Sequence, residues 1–433
     1  MIISLKEMRN SHAIKIKAAR KSVKGKNGRA VFNRHLKEEI FMQGIYILDG
    51  ARTPFTEFGG SFKDITDIDL AVHAAKEAIK RSQVSEEDIK DVTFGNVIHT
   101  NQSSSYLARH IGLKSGIPQS TPALTVNRLC GSGMQAIVSS AMTILHGDAE
   151  VALAGGTENM SQSPHVLRHT RWGSPGGAPP VDDMLWGTLT DSYIGYGMGV
   201  TAEYLAERYS TSREEQDRFA VESHRKAAKA AESGRFAKEI VPVTVKQKKK
   251  EVVVDLDEHI RPDTNVEKMS GLKTAFKKDG TVTAGNASGI NDGAAAVVLA
   301  SESYVKKHSK KPLARIVSWG IAGVDPETMG IGPVPAMQIA LKKAGLGWND
   351  IGLIEINEAF AAQSLAVIKE LKLDQEVVNV NGGAVALGHP VGTSGARISY
   401  SLAVEMNERD VKYGLASLCI GGGQGIALLL EKP

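Results

Sequence analysis

Cysteine is nearly absent, with two in 433 residues. So few argue against a disulfide framework and suit a reducing compartment. No Cys/His cluster shows the spacing of metal ligands, and no metal is expected. Long apolar runs are missing as well. Glycine or a charged residue interrupts each one before membrane-spanning length, so no membrane partner is expected. Residues 1–41 lack the apolar core of a secretory signal. Positive charge is in excess only in that arm, which holds 11 Lys and Arg against three Glu, while the remainder carries slightly more acid than base. Nothing in the body points to nucleic acid.

What is present suits a soluble globular enzyme: 42% hydrophobic and 23% charged residues. The length predicts two or three packed units. Forty-four glycines point to many tight backbone turns. Three readings of the basic arm compete. It is a solvated tail or a translation-start artefact, since Met42 stands just ahead of the first strand. It is an organelle-targeting peptide, against which several lysines and only three serines count. Or it is a weak polyanion-binding arm. The first is preferred, with a cytoplasmic location; the second would place the protein in an organelle matrix.

From residue 44 strand and helix patterns alternate. Residues 45–48 read as a strand and 49–54 as a turn-rich segment. Ile68, Ala71, Ala74, Ala75 and Ile79 mark one face of a helix. Ser85-Glu86-Glu87-Asp88 has the pattern of a capping box. Strands are expected at 92–98 and 123–127, helices at 107–113 and 134–145, and a buried strand at 151–154 ending at Gly155-Gly156. This alternation predicts an α/β unit with a largely parallel sheet. Residues from about 161 to 284 break the rhythm and read as an insertion over the core. There 173–180 is a loop, Ser212 with Glu215 opens a long capped helix ending near Gly234, and 241–255 is a hairpin with a solvated lysine tip. From residue 314 the alternation restarts. Helices are expected at 334–344, 359–371 and 395–407, and strands at 314–319, 351–356 and 377–381. Two more strands follow around a turn at Cys419.

The two halves repeat. Thr125-Val126-Asn127 leads to Gly131-Ser132-Gly133, a helix, then Leu153-Ala154-Gly155-Gly156. Asn379-Val380-Asn381 leads to Thr393-Ser394-Gly395, a helix, then Cys419-Ile420-Gly421-Gly422. Such self-similarity predicts duplication of one βα unit. The glycine-rich strand ends of both halves then meet where α/β sheets bind ligands.

Both cysteines lie in these stretches. Cys130 precedes Gly-Ser-Gly and a helix start, where peptide dipoles and unpaired N–H groups favour a thiolate and lower its pKa. A thiol nucleophile needs a base and donors for an oxyanion. His389, between Gly388 and Pro390 in a small-residue loop, is the leading base. Cys419 stands before Gly421-Gly422-Gly423, whose N–H groups are unhindered, and suits acid/base work on a carbon acid. For either cysteine, a small buried apolar residue is the alternative.

Four motifs in this order resemble those of the thiolases: Leu129-Cys130-Gly131-Ser132-Gly133, Asn357-Glu358-Ala359-Phe360, Gly383 to Pro390 around His389, and Cys419-Ile420-Gly421-Gly422-Gly423-Gln424-Gly425. The resemblance covers about 42–431. It implies two related βαβαβαββ halves in a five-layer α/β/α/β/α core, at 42–302 and 311–433, with a loop domain near 161–284 in the first. It implies a reversible, CoA-dependent acyl transfer through an acyl-Cys130 intermediate. His389 would activate the thiol, Cys419 would exchange the α-proton, and Asn357 would hold a water that with His389 makes one oxyanion hole. The N–H groups of Cys130 and Gly421 would make the other. Glu358 would orient its neighbours. Coenzyme A and acyl-CoA are implied as substrates, with no permanently bound cofactor, and a homodimer or homotetramer as the assembly. CoA would meet Arg261 at its nucleotide end and Ser288 at its pantetheine amide. Phe276, Ala284, Leu189, Met198, Ala359, Phe360 and Met329 would line the channel.

Two positions depart from short-chain biosynthetic members. Gly197 stands where they commonly carry His, and Lys268 where a CoA-pocket Ser is usual. The first removes bulk, so longer 3-ketoacyl chains are expected to fit. A non-catalytic acyl-CoA or lipid binder, a ketoacyl synthase and a cysteine hydrolase are the competing functions. The set Cys130, His389, Asn357 and Cys419 argues against each of them.

Overall fold

The computed structural model describes residues 44–433 apart from 174, 175, 248 and 249. The basic arm and the centre of the lysine run therefore lie outside the described residues. The first half runs β1 (Ile45–Arg52), β2 (Thr56–Glu57), α1 (Asp67–Ser82), β3 (Asp91–Gly95), α2 (Leu107–Lys114), β4 (Ala123–Val126), α3 (Ser132–His146) and β5 (Val151–Asn159). Three two-stranded ribbons follow: β6 (His165–Leu167) with β7 (Val181–Asp183), β8 (Thr190–Asp191) with β9 (Tyr196–Gly197), and β10 (Val243–Gln247) with β11 (Lys250–Val254). Helices α4 (Met198–Arg208) and α5 (Arg213–Glu232) stand between the second and third ribbons, and β12 (Asn291–Ser301) returns to the sheet. The second half is β13 (Ala314–Gly323), α6 (Pro333–Ala344), β14 (Leu353–Ile356), α7 (Ala361–Leu371), α8 (Ser394–Glu408), β15 (Tyr413–Ile420) and β16 (Gln424–Glu431).

Ten strands form one sheet in the order β14-β15-β16-β13-β1-β12-β5-β3-β4, with β2 added on β12. The expected largely parallel sheet is corrected. Only its two ends are parallel, β14 with β15 and β3 with β4 and β5. Every pairing between them is antiparallel. The alternation misled because β12 re-enters from the long section after β5, and β16 from a tight hairpin, rather than through βα crossovers.

Strand side chains alternate between faces, and here both faces are covered. On β12, Ala295, Val297 and Leu299 join a cluster with Met134 and Ile137 of α3 and Ile398 and Leu402 of α8. Ala294, Ala296, Val298 and Ala300 face the other way, toward Leu70, Ala71 and Ala74 of α1. In the second half Leu418 and Leu428 face the same central helix pair, while Leu415, Ala427 and Leu429 meet Met337 and Ala340 of α6. The result is the five layers expected, two of them parts of the one sheet: α1/α2, the first-half strands, α3/α8, the second-half strands, α6/α7. Strands buried on both faces read as continuous apolar runs, and each fully buried Val, Leu or Ile contributes about 1.5–3 kcal/mol.

Several boundaries differ from the sequence reading. Residues 49–52 continue β1 past a bulge between Ile47 and Asp49 instead of turning. Gly155 and Gly156 lie inside β5, not at its end. Gly156 is there for close approach: a Cβ on it would lie 2.1 Å from the Gly392 carbonyl oxygen. No strand forms at 377–381. Asn379, at φ 44°, uses its side chain in place of a strand partner, accepting from the Ile356 N–H at 2.8 Å and donating to the Ile356 carbonyl at 2.9 Å. The turn expected at Cys419 is one step later: Cys419 ends in β15, and Gly422 and Gly423, at φ 76° and 79°, make the turn. The Ser212–Glu215 capping box is present at the start of α5. At Ser85 the side chain accepts instead from the Glu87 N–H, over a single short turn.

Candidate active site

Cys130 sits at the apex of a strained turn between β4 and α3. Leu129, just before it, has φ 45°, a conformation that costs a branched residue about 1–3 kcal/mol. The turn is held by its neighbours. Asn127 Oδ1 accepts from the Leu129 N–H at 2.9 Å. Ser132 Oγ accepts from the Arg128 N–H at 2.8 Å and donates to the Leu129 carbonyl at 2.7 Å. The expected lowering of the Cys130 pKa is corrected. The N-cap of α3 is Gly131, so Cys130 stands outside the helix. Burial pushes its thiol up to about 11, and the charge of Glu158 adds to the rise. The N–H groups of Gly421 and of Cys130 itself donate to the sulfur and only partly offset this.

Cys419 is fully buried at the end of β15. Burial raises its pKa first, and the nearby charge of Cys130 second. The two halves therefore bring both cysteines of the chain to one place, with Gly421 two residues after Cys419 in sequence and beside Cys130 in space. Cys419 packs in one apolar cluster with Met198, Met329, Ala359 and Phe360. Cys130 packs against another with Ile98, Val391 and Leu189.

His389 is buried in the loop between α7 and α8. Its N–H donates to Asn291 Oδ1 at 3.1 Å. Its ring Nδ1 is 2.5 Å from Ser394 Oγ, whose O–H donates to the Pro390 carbonyl at 3.0 Å. With that proton committed, Ser394 accepts from Nδ1–H, which leaves the Nε2 lone pair as the ring's acceptor. Asn357 Nδ2 lies 3.4 Å from that Nε2, and Asn357 Oδ1 is buried without a protein partner among the described residues. Burial, reinforced by the Arg397 charge, holds His389 down at about 3. It is a neutral imidazole near neutral pH. Glu358 orients the same region, accepting from Ser223 Oγ at 2.7 Å, Asn379 Nδ2 at 2.8 Å and the Val385 N–H at 3.1 Å.

The residues expected to meet CoA are gathered unevenly. Phe276 meets Phe360 edge-on, with centroids 5.9 Å apart, beside the Cys419 cluster. The Ser288 N–H donates to the Ala359 carbonyl at 3.0 Å. Ala284 is exposed and joins neither cluster. The exposed guanidinium of Arg261 is paired with Glu57, and Lys268 with Asp263 at 2.6 Å. A Cβ on Gly197 would make ordinary contacts, 3.4 Å from the Leu189 carbonyl oxygen and 3.8 Å from Thr190 Oγ1. The hollows of about 450 and 520 Å³ flanking α5 are lined by neither cysteine nor by His389. Among the described residues, no group of three or more His, Cys, Asp or Glu could hold a metal ion. No helix among them is long and apolar enough to cross a membrane. Ser394, Asn291 and Glu158 were missed from sequence. Only Ser394 had left a signal there, as the counterpart of Ser132 in the repeat.

Residues 45–303 match the family profile described as thiolase, N-terminal domain, and 310–432 the thiolase, C-terminal domain. The mouse protein named mitochondrial 3-ketoacyl-CoA thiolase is 51% identical over 391 residues, 90% of this chain and 98% of that one. Beta-ketothiolase BktB of Cupriavidus necator is 49% identical over 389 residues, 90% of this chain and 99% of that one. The crystal structure of human mitochondrial 3-ketoacyl-CoA thiolase in complex with CoA superposes with a TM-score of 0.88 at 50% identity, covering 90% of this chain and 98% of that one. This chain belongs to the thiolase family and is an acyltransferase.

Proposed function

We propose that Cys130 is the nucleophile and Cys419 the carbon-acid partner of a reversible, CoA-dependent Claisen condensation and thiolysis. The observation that supports this most directly is the meeting of the two thiols, from opposite ends of the chain, with a Gly421 N–H on the Cys130 sulfur.

In thiolysis, Cys130 Sγ attacks the 3-keto carbon of a 3-ketoacyl-CoA and its proton passes to His389 Nε2. The C2–C3 bond breaks. The acyl group stays on Cys130 as a thioester, and the acetyl-CoA enolate takes the Cys419 proton. A CoA thiol then attacks the thioester and gives its proton to Cys419, and His389 returns the first proton to the leaving Cys130. In condensation the steps reverse, two acetyl-CoA giving acetoacetyl-CoA and CoA. A thiol near 11 and an imidazole near 3 do not form a resting ion pair. The proton moves as the carbonyl is attacked, when the sulfur's charge is being consumed. The Cys130 and Gly421 N–H groups that now reach the sulfur suit the thioester oxyanion, and His389 with a water on Asn357 the enolate oxygen.

Arg261, Ser288, Phe276, Ala284, Leu189, Met198, Ala359, Phe360 and Met329 are the proposed CoA and acyl contacts. The division is two thiolase halves with a loop domain near 161–284. The assembly proposed is a homodimer or homotetramer. In support, β4 is a sheet edge on which Leu124 is 51% exposed. A cytoplasmic location is proposed, with an organelle matrix as the alternative, which the mitochondrial relative and the basic arm favour.

The test is the loss of acetoacetyl-CoA absorbance on adding CoA. The parent consumes it and Cys130→Ala abolishes the signal; activity persisting in Cys130→Ala refutes the nucleophile assignment.

A further inference from the structure

β5 and β12 lie side by side, with Glu158 opposite Gly293 in register. Their ends aim two buried polar side chains at one loop of the other half. Asn291 takes the His389 N–H, as described. Glu158, wholly buried, takes four donors. One oxygen accepts from the Gly392 N–H at 2.9 Å and the Val97 N–H at 3.1 Å. The other accepts from the Ile98 N–H at 3.0 Å and Asn96 Nδ2 at 3.2 Å. Thr393 adds an O–H donated to the Gly293 carbonyl at 2.7 Å. The surfaces are flush: a Cβ on Gly392 would lie 2.6 Å from Glu158 Oε2.

A protonated carboxyl would set its O–H against one of those N–H groups. Burial and the Asp67 charge raise the carboxyl's pKa, the N–H donors lower it, and the balance stands at about 8. The titratable groups that act on the thiols are Glu158 on β5, which acts on Cys130, and Cys130 itself, which acts on Cys419 on β15. Arg397 on α8 acts on His389, and Asp67 on α1 acts on Glu158.

We propose that Glu158 is a positioning residue with two effects: it clamps the 388–393 loop of the second half to residues 96–98 of the first, and, when ionised, it sets a negative charge beside Cys130. The clamp holds His389 in place for the nucleophile. That charge disfavours the Cys130 thiolate. This rests on the reading of Cys130 and His389 as the catalytic pair.

Two variants separate clamp from charge. Glu158→Gln removes the charge and turns an NH2 toward N–H donors. Glu158→Asp keeps the charge but is one methylene short. Thiolysis kcat and KM are read in the otherwise intact enzyme. The Cys130 thiol is read by the pH dependence of iodoacetamide alkylation in a Cys419→Ser background, which leaves a single thiol in the chain. Glu158→Gln is expected to lower kcat about tenfold or more, with KM within about twofold. It is also expected to raise the alkylation rate at pH 9 by about three- to tenfold, as the titration midpoint falls by up to one pH unit. Glu158→Asp is expected to lose kcat with the alkylation rate unmoved. Glu158→Gln with parental kcat, or with an unmoved alkylation rate, overturns the proposal. If Glu158→Gln does not fold, parental kcat in Glu158→Asp does so alone. An inactive parent, or an active Cys130→Ala, counts instead against the underlying catalytic reading.

Discussion

At the scale of single residues, hydrogen bonds that fix a tautomer matter more than proximity. Ser394 commits His389 to Nδ1–H, which leaves Nε2 for the proposed base. Ser394→Ala frees the ring to take either tautomer and is expected to lower kcat by about one to two orders of magnitude, part of the ~10²–10⁴ a general base supplies. Its Tm should stay near that of the parent; an unchanged kcat would show that the tautomer is set elsewhere. His389 also links stability to pH. Its folded value near 3 lies below the ordinary 6.5, so between those values the unfolded chain binds a proton that the folded chain refuses. The contribution is complete above pH 6.5 and is lost as pH falls through that window. Between pH 7.5 and 5 the parent should lose about 2 kcal/mol more than His389→Asn in urea denaturation, and equal losses would contradict a buried neutral imidazole. The motif residues Cys130, His389, Asn357 and Cys419 were legible in the sequence. Asn291 and Glu158 were not, because each acts across the halves on a backbone N–H, and no periodicity records such a partner. The thiol's pKa was misjudged for a related reason: helix-end dipoles can be read from sequence, and burial cannot.

At the scale of elements, α3 and α8 decide how closely the halves meet. They cross at their first turns, where a Cβ on Gly395 would lie 2.4 Å from the Met134 nitrogen. That neighbour is backbone and cannot swing aside. Gly395→Ala should destabilise the protein by about 1–3 kcal/mol in urea denaturation, and a cost under about 0.5 kcal/mol would mean that the crossing is looser than it looks. The helices of the two halves and α5 were legible to within a few residues because their apolar faces repeat along the chain, while α4 went unread. Strand direction was not. β12 is apolar on both faces, and an apolar run does not say which way it runs beside its neighbours. Residues 377–381 misled because Val377, Val378 and Val380 carry strand propensity, while the side chain of Asn379 takes over the pairing to β14.

At the scale of the whole molecule, the section between β5 and β12 is tied to the core by buried charge. Arg52 at the end of β1 makes paired bonds of 2.7 and 2.9 Å to Asp257 and one of 2.9 Å to Glu239. Arg52→Met should cost about 3–5 kcal/mol in urea denaturation, leaving buried Asp257 without its counter-ion and Glu239 with Arg235 alone. The same section carries Gly197, which presents no side chain, and a Cβ there would clash with nothing. The chain is expected to turn over C8 3-ketoacyl-CoA at rates comparable with C4, and Gly197→His to cut the C8 rate more than the C4 rate. Strict C4 preference in the parent would contradict the wider channel.

The central claim is that one sulfur carries the acyl group while the other handles the proton. It is tested most directly by quenching the enzyme in acid after mixing with acetyl-CoA and mapping the adduct by peptide mass spectrometry. The expected result is acetyl on the peptide containing Cys130, and none in Cys130→Ala. Acetyl on the Cys419 peptide, or an adduct that survives Cys130→Ala, would contradict it.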